Sequence, residues 1–140
     1  MSARAEKRNL PKSTDRSRGR VLLIADDDQT RFVEAVTACG INVVGVANGA
    51  AALVSLQRSR PHLVVANPLA HNLRIRELAR MLAQSDEGIP LVLAGPQRAT
   101  VELRHAAMLE GAFDYFELPL EFDLLLERTQ QLVALRQKID

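Results

Sequence analysis

The sequence RVLLIADDD, from Arg20 to Asp28, decides the fold because it joins an uninterrupted apolar run to three consecutive carboxylates. An apolar run at residues 21–25 that ends in charged residues is typical of a strand buried on both faces of a parallel sheet. Apolar residues at helical spacing follow, and Gly40 ends that segment. We therefore predict a strand over residues 21–25 and a helix over residues 30–39.

The same alternation of an apolar run and a helical pattern recurs four more times along the chain. The remaining predicted strands cover residues 41–46, 63–66, 91–94 and 114–116. The remaining predicted helices cover residues 50–58, 73–83, 100–110 and 121 to the C-terminus. Buried strands that alternate with helices predict an α/β fold, in which a doubly wound five-stranded parallel sheet carries helices on both faces.

Length and charge divide the chain into a short arm and one domain. Its 140 residues suffice for one ordinary domain, and none of its apolar runs is long enough to span a bilayer. Residues 1–20 carry seven basic and two acidic side chains, whereas residues 21–140 carry 11 basic and 15 acidic ones. We predict a flexible basic arm at 1–19 and a mildly acidic domain at 20–140. The arm is interpreted as a solubilising leader or as a nucleic-acid contact, and the second is disfavoured because the arm has no aromatic residue to stack on bases.

The single cysteine and the N-terminal sequence bear on the compartment. Cys39 cannot form an internal disulfide, and the first residues lack the apolar segment of a signal peptide. Both features fit a reducing compartment, so we expect a cytoplasmic protein without a membrane partner. Cys39 falls on the apolar face of the predicted first helix and is expected in the core. His62, His71 and His105 lack metal-ligand spacing and are expected at the surface.

The carboxyl ends of parallel strands are where such a sheet carries its functional side chains. In this chain the predicted strand ends are occupied by the carboxylates of residues 26–28 and by Asn48, Asn67, Gly95 and Leu118. The last three strand ends therefore present an amide, a glycine and a leucine, none of which is charged.

Three segments, in their order and spacing, resemble the receiver domains of bacterial two-component response regulators. They are RVLLIADDD at 20–28, PHLVVAN at 61–67 and LEGAFDYFELP at 109–119. The resemblance extends from residue 20 to about residue 136. It implies a flavodoxin-like (βα)5 fold with strand order 2-1-3-4-5.

The resemblance also implies a set of site positions. In the family, acidic residues after the first strand hold Mg²⁺, an aspartate after the third accepts a phosphoryl group, and a Ser or Thr and a Lys follow the fourth and fifth. In this chain Asn67 stands at the acceptor position, Gly95 at the Ser/Thr position and Leu118 at the Lys position. Only Tyr115 matches the family's switch aromatic. Ala25 takes one acidic position, and Asp26 and Asp27 remain.

These departures predict a degenerate domain, a pseudo-receiver. A neutral amide at Asn67 cannot act as the carboxylate nucleophile, and without a lysine the transferred group has no fixed cation. We therefore expect no catalytic residue, no enzymatic activity and no cofactor. Asp26 and Asp27 either keep a weak residual affinity for Mg²⁺ or belong to a triplet that caps the following helix. The alternative function is a Mg²⁺-dependent switch on a displaced carboxylate, Asp28 or Asp114.

The resemblance directs attention to the surface formed by the fourth helix, the fifth strand and the fifth helix, which receivers use for dimers and partners. The charged residues expected there are Arg104, Glu117, Glu127 and Arg128, a mixed-sign set suited to salt bridges across an interface. The expected partner is another signalling protein or a second copy in a weak homodimer, with a covalently linked output domain outside this chain as a further possibility.

The last helix has two interpretations. Leu125, Leu132, Leu135 and Ile139 have heptad-like spacing, which predicts that the end of the helix overhangs the domain and places Leu132 and Leu135 in an interface. Alternatively, the helix packs on its own sheet through Phe122, Leu125, Leu126 and Thr129 and then frays.

Overall fold

The computed structural model describes residues 18–85 and 88–139. The predicted flexible arm therefore lies outside the described residues, apart from its last two positions. The first strand begins at Gly19, two residues before the predicted strand. Within the described part of the chain, no helix is both long enough and apolar enough to cross a membrane.

Five strands alternate with five helices, as predicted. The strands are β1 (Gly19–Ile24), β2 (Ile41–Val46), β3 (Leu63–Ala66), β4 (Leu91–Gly95) and β5 (Asp114–Glu117). The helices are α1 (Thr30–Ala38), α2 (Gly49–Arg58), α3 (Ile75–Ala83), α4 (Val101–Leu109) and α5 (Phe122–Ile139).

All five strands are parallel and lie in the order β2-β1-β3-β4-β5. The predicted flavodoxin-like topology is therefore confirmed. The register places Ile24 of β1 between Val46 of β2 and Ala66 of β3. Because the chain leaves β1 and β3 side by side, the carboxylates after β1 and Asn67 after β3 meet at one edge of the sheet.

Alternation along the strands divides the core into two layers. Leu22, Ile24 and Val64 face the helices α2, α3 and α4, together with Tyr115. Val21, Leu23 and Val65 face α1 and α5, as does Phe116. Burial on both faces explains why β1, β3 and β4 read as uninterrupted apolar runs in the sequence.

The last helix packs on its own sheet. Its buried stripe follows the helical repeat through Leu125, Thr129, Leu132 and Val133. Leu132 is 8% exposed, so its placement in an overhanging interface was wrong, whereas Leu135 is 58% exposed. Gly19 makes this packing possible, because a Cβ on Gly19 would overlap the Val133 side chain.

Two other side chains lie where the sequence did not predict them. Cys39 is exposed rather than in the core, because α1 ends at Ala38 and Cys39 caps it; its sulfur accepts a hydrogen bond from Gln130 Nε2 at 3.0 Å. His62 is buried rather than at the surface. Its ring Nδ1 accepts the Arg20 backbone N–H at 3.0 Å, and the His62 backbone N–H donates to the Arg20 carbonyl at 2.8 Å. His71 and His105 are exposed, as predicted.

Candidate functional site at the carboxyl edge of the sheet

Asn67 lies at the centre of the carboxyl edge. It directly follows β3, is 5% exposed, and donates its backbone N–H to the Ile24 carbonyl at 2.8 Å. Its side-chain Oδ1 accepts the Leu69 backbone N–H at 2.9 Å. This bond from a side chain to the backbone two residues on is an Asx-turn, which Asn and Asp both support. The amide oxygen is thus committed to shaping the loop after β3.

Asp27 faces two neutral amide donors. Asn67 Nδ2 lies 3.5 Å from Asp27 Oδ1, and Gln29 Nε2 donates to Asp27 Oδ2 at 3.0 Å. Both carboxylate oxygens of Asp27 therefore face neutral N–H groups. Asp26, the other carboxylate assigned to a residual metal site, is exposed at the end of the strand.

Asp28, one residue before the N-cap Gln29, bonds the first residue of α1. Its Oδ1 accepts the Thr30 hydroxyl at 2.6 Å and the Thr30 backbone N–H at 3.0 Å. The hydroxyl bond, followed by the backbone bond, holds the pKa of Asp28 below its usual value. Asp28 thus satisfies the first N–H of α1, while the N-cap position itself is Gln29 and makes no side-chain cap hydrogen bond.

The described side chains form no cluster of three or more acidic, histidine or cysteine groups that could hold a metal ion. A hard dication such as Mg²⁺ takes several oxygen ligands. Asn67 Oδ1 already accepts the Leu69 backbone N–H at 2.9 Å.

Gly95 and Tyr115 close the same edge from β4 and β5. A Cβ at Gly95 would lie 3.1 Å from Asn67 Oδ1 and 3.5 Å from the Tyr115 hydroxyl oxygen. The Tyr115 side chain points inward, is buried, and donates its hydroxyl to the Gln97 carbonyl at 2.7 Å. Burial raises the pKa of Tyr115 above its usual value. A side chain at position 95, where the resemblance implies a Ser or Thr, would therefore be crowded by Asn67 and Pro68.

The interior side of this edge is apolar. Leu118 packs with Ala25 against the core layer beneath α1 and α5. The space between Ala25, Asn67 and Leu118 is too small for a water molecule. The position that the resemblance assigns to a lysine therefore presents hydrocarbon to Asn67.

A shallow groove of about 230 Å³, lined in part by Asp27, Gly95 and Leu118, contains the cation Arg31, which the sequence analysis missed. Arg31, in the first turn of α1, places its guanidinium 3.8 Å from the centre of the Phe122 ring. This stacking links α1 to the start of α5 across the groove. The available sequence signal was an arginine three residues after the acidic triplet, on the helix that follows the triplet.

Charged residues at the outer edge of the sheet form a network within the chain. Arg104 of α4 contacts Glu121 at 2.6 Å and Asp114 at 3.4 Å. Arg128 of α5 approaches the second Asp114 oxygen at 3.6 Å and lies over the Phe113 ring. The network joins α4, β5 and α5 across the edge strand.

The predicted interface charges are therefore largely paired within the chain. Arg104 and Arg128 belong to the network, and Glu117 accepts the Ala99 backbone N–H at 3.0 Å. Glu127 is exposed on α5. Asp114 and Glu121, which complete the network, were not predicted in this role, because they meet Arg104 only through the fold.

No model of a known protein family matches the sequence, and no curated protein matches it either. Solved structures of other proteins, in contrast, are similar to this chain. The activated N-terminal receiver domain of RstA from Klebsiella pneumoniae is similar, with a TM-score of 0.71 and 21% identity over 82% of this chain and 98% of that one. The fold is that of response-regulator receiver domains.

Two further receivers support this fold assignment. The non-phosphorylated receiver domain of HemR from Leptospira biflexa has a TM-score of 0.70 and 19% identity over 84% of this chain and 95% of that one. The chemotaxis response regulator CheY4 of Vibrio cholerae has a TM-score of 0.69 and 18% identity over 82% of this chain and 98% of that one. Activated and non-phosphorylated receivers match equally well, so the likeness concerns the fold alone.

Proposed function

We propose that this chain is a pseudo-receiver: a receiver-like signalling domain of a two-component-type system that takes up no phosphoryl group, catalyses no reaction and acts by binding other proteins in the cytoplasm. The observation that carries the proposal is Asn67. Its neutral amide occupies the end of β3, with its oxygen bonded to Leu69 N–H and its nitrogen facing Asp27. Acyl phosphate formation needs a carboxylate at that place.

The surroundings of Asn67 support the same conclusion independently. Phosphoryl transfer depends on fixed positive charge and hydrogen bonds around the transferred group. Leu118 supplies hydrocarbon, Gly95 supplies no hydroxyl, and the Asp27 carboxylate faces amides. Each of these three features by itself weakens the site, and each arises from a different strand end.

The alternative of a displaced acceptor fits the geometry less well. Asp28 is bonded to Thr30 at the start of α1. Asp114 lies at the amino end of β5, opposite Val92 rather than at the carboxyl edge, and is paired with Arg104 and Arg128. Neither carboxylate faces Asn67. The third hypothesis, nucleic-acid binding by the basic arm, concerns residues outside the described part of the chain and stays a prediction.

A titration with beryllofluoride and Mg²⁺ tests the proposal, because this phosphoryl mimic binds a receiver only when the acceptor carboxylate and the metal are in place. Amide NMR resonances of Asn67, Gly95 and Leu118 report on the three strand ends. We expect no saturable shift at these positions. Saturable shifts at all three would contradict the proposal.

We further propose that the protein-binding surface is formed by α4, β5 and α5. Around the network of Arg104 lie apolar side chains in open solvent, with Val101 80% and Leu120 76% exposed. Because the charges are satisfied within the chain, a partner gains mainly by covering these apolar groups. The partner contact is thus apolar at a position where the sequence predicted salt bridges.

Matched lysine substitutions test this surface. Leu120→Lys places a charge beside the network, whereas Leu53→Lys changes an exposed leucine on α2, outside the proposed surface. Both variants are expected to fold. A protein that is cross-linked to the wild type and to Leu53→Lys in cells, and lost with Leu120→Lys, supports the proposal; equal recovery with all three contradicts it.

A further inference from the structure

The two edge strands of the sheet differ in whether their outward-facing backbone groups are hydrogen-bonded. On β5, the N–H of Tyr115 donates to Asp114 Oδ1 at 2.7 Å and the N–H of Glu117 donates to Glu121 Oε1 at 2.9 Å. Side-chain carboxylates thus accept the hydrogen bonds that these two backbone N–H groups would otherwise donate to an added strand. Arg104 and Arg128 further cover this edge with charge. Natural sheets protect their edges by such means.

On the opposite edge, β2, the part of the chain that the structure describes shows no such protection. Val46 accepts the Ala25 N–H at 2.9 Å, so its backbone faces β1, and by alternation the N–H and C=O groups of Val43 and Gly45 point away from the sheet. Within residues 18–85 and 88–139, neither residue makes a hydrogen bond through these groups beyond the strand. The strand INVVGV also contains no charged residue and no proline.

Gly45 independently indicates that another strand can approach the β2 edge. A Cβ at Gly45 would meet nothing within 4 Å, so the packing of this chain does not require a glycine there. A glycine inside a strand often marks the close approach of another backbone. The neighbouring Val44 side chain is 54% exposed.

We propose that β2 is a self-association site at which a second copy of this chain adds its own β2 in antiparallel orientation. With a two-fold axis at Val44, residue 43 of each copy lies opposite residue 45 of the other. The backbone groups of both residues face outward, so four N–H···O bonds form between the two pairs. The strand is complementary to itself at this register.

The same register also places matching side chains together. Val44 lies opposite Val44 of the second copy in a non-hydrogen-bonded pair, in which side chains are close and Cα atoms are about 4.5 Å apart. Two exposed valines thereby cover each other, and no charge opposes their approach.

The pairing is weak, since one short strand per copy buries less than the about 800 Å² per partner of a typical stable complex. We therefore expect a dimer that forms in the micromolar range or above. This site is distinct from the surface of α4, β5 and α5, which stays open for a partner. The two proposals can therefore fail separately.

Disulfide capture tests the register. In a Cys39→Ser background, Val44→Cys places the two thiols within disulfide reach across the two-fold axis. The matched control is Val54→Cys, an equally exposed valine on α2. We expect Val44→Cys to form a covalent dimer under mild oxidation at least ten times faster than Val54→Cys. Equal rates would overturn the proposal.

Sedimentation over a concentration series up to about 1 mM, which covers weak complexes, provides the second measurement. Wild type and Val54→Lys should dimerise, and Val44→Lys should remain a monomer because two like charges would face each other. In the wild type, the amides of Val43 and Gly45 should gain protection from hydrogen exchange as concentration rises. A wild type that is monomeric throughout, or a dimer that Val44→Lys leaves intact, would overturn the proposal.

Discussion

Asn67 Oδ1 accepts the backbone N–H of Leu69 at 2.9 Å, and this bond fixes the loop that follows β3. A carboxylate oxygen accepts the same N–H, so an aspartate can occupy position 67 without changing the loop. What an aspartate cannot reproduce is the N–H that Asn67 directs at Asp27. The local structure therefore tolerates the acceptor residue of a receiver, while the neighbouring charge opposes it.

Asn67→Asp should lower the free energy of unfolding at neutral pH by about 1 kcal/mol, because a donor facing Asp27 is replaced by a like charge. Mg²⁺ should restore part of this loss by screening the two carboxylates. Chemical denaturation with and without Mg²⁺ measures both effects. A variant as stable as the wild type, and indifferent to Mg²⁺, would show that Asn67 and Asp27 are not coupled.

Arg104→Ala should lower the free energy of unfolding by about 1–3 kcal/mol, because Glu121 and Asp114 lose the cation between them in a partly buried setting. Arg74→Ala is the matched control, since its pair with Glu77 is exposed on both sides, and should cost less than about 0.5 kcal/mol. Urea denaturation of both variants makes the comparison. Equal costs would mean that the network is no stronger than a surface pair.

Tyr115 should titrate above its usual pKa, because burial disfavours the phenolate. A raised pKa in the folded state contributes stability that is fully present below pH 10.0, the ordinary phenol value, and is lost as pH rises through the folded pKa. Ultraviolet titration reads this residue directly because it is the chain's single tyrosine. Tyr115→Phe should remove this part of the pH dependence and cost about 1 kcal/mol at neutral pH. A tyrosine titrating at its ordinary pKa would mean that its hydroxyl is not held inside.

Leu132→Ala should destabilise the fold by about 2–5 kcal/mol, the usual cost of truncating a buried leucine. Leu135→Ala, three residues further along α5, should cost less than about 0.5 kcal/mol because that side chain is exposed. Thermal or urea denaturation of the two variants compares them. If the costs were reversed, α5 would not pack on its sheet through Leu132.

The strands, the helices and their order could be predicted because each apolar run in this chain is short, continuous and bounded by a turn. The details of α5 could not. Leu125 and Leu132 fit a heptad and a helical stripe on the sheet equally well, and the choice depends on Val133 meeting the gap above Gly19. Cys39 was misplaced because helical spacing does not show at which residue a helix ends.

The position of Asn67 at the carboxyl edge followed from the pattern, but its partners did not. Gln29 and Arg31 belong to the site through the path of α1, and Glu121 reaches Arg104 only when α4 and α5 flank β5. The contacts of Arg31 with Phe122 and of Glu121 with Arg104 join residues far apart in sequence, so neither spacing nor composition indicates them. The burial of His62 likewise depends on the pairing of β1 with β3.

The most direct test of the pseudo-receiver assignment is intact-mass measurement after incubation with a small acyl phosphate donor and Mg²⁺. The wild type should show no gain of one phosphoryl group, and Asn67→Asp alone should show little, because Gly95 and Leu118 remain. The positive control is the combined variant Asn67→Asp, Gly95→Ser and Leu118→Lys, which should acquire an acid-stable, base-labile adduct. A wild-type protein that acquires such an adduct at substantial yield would contradict the assignment.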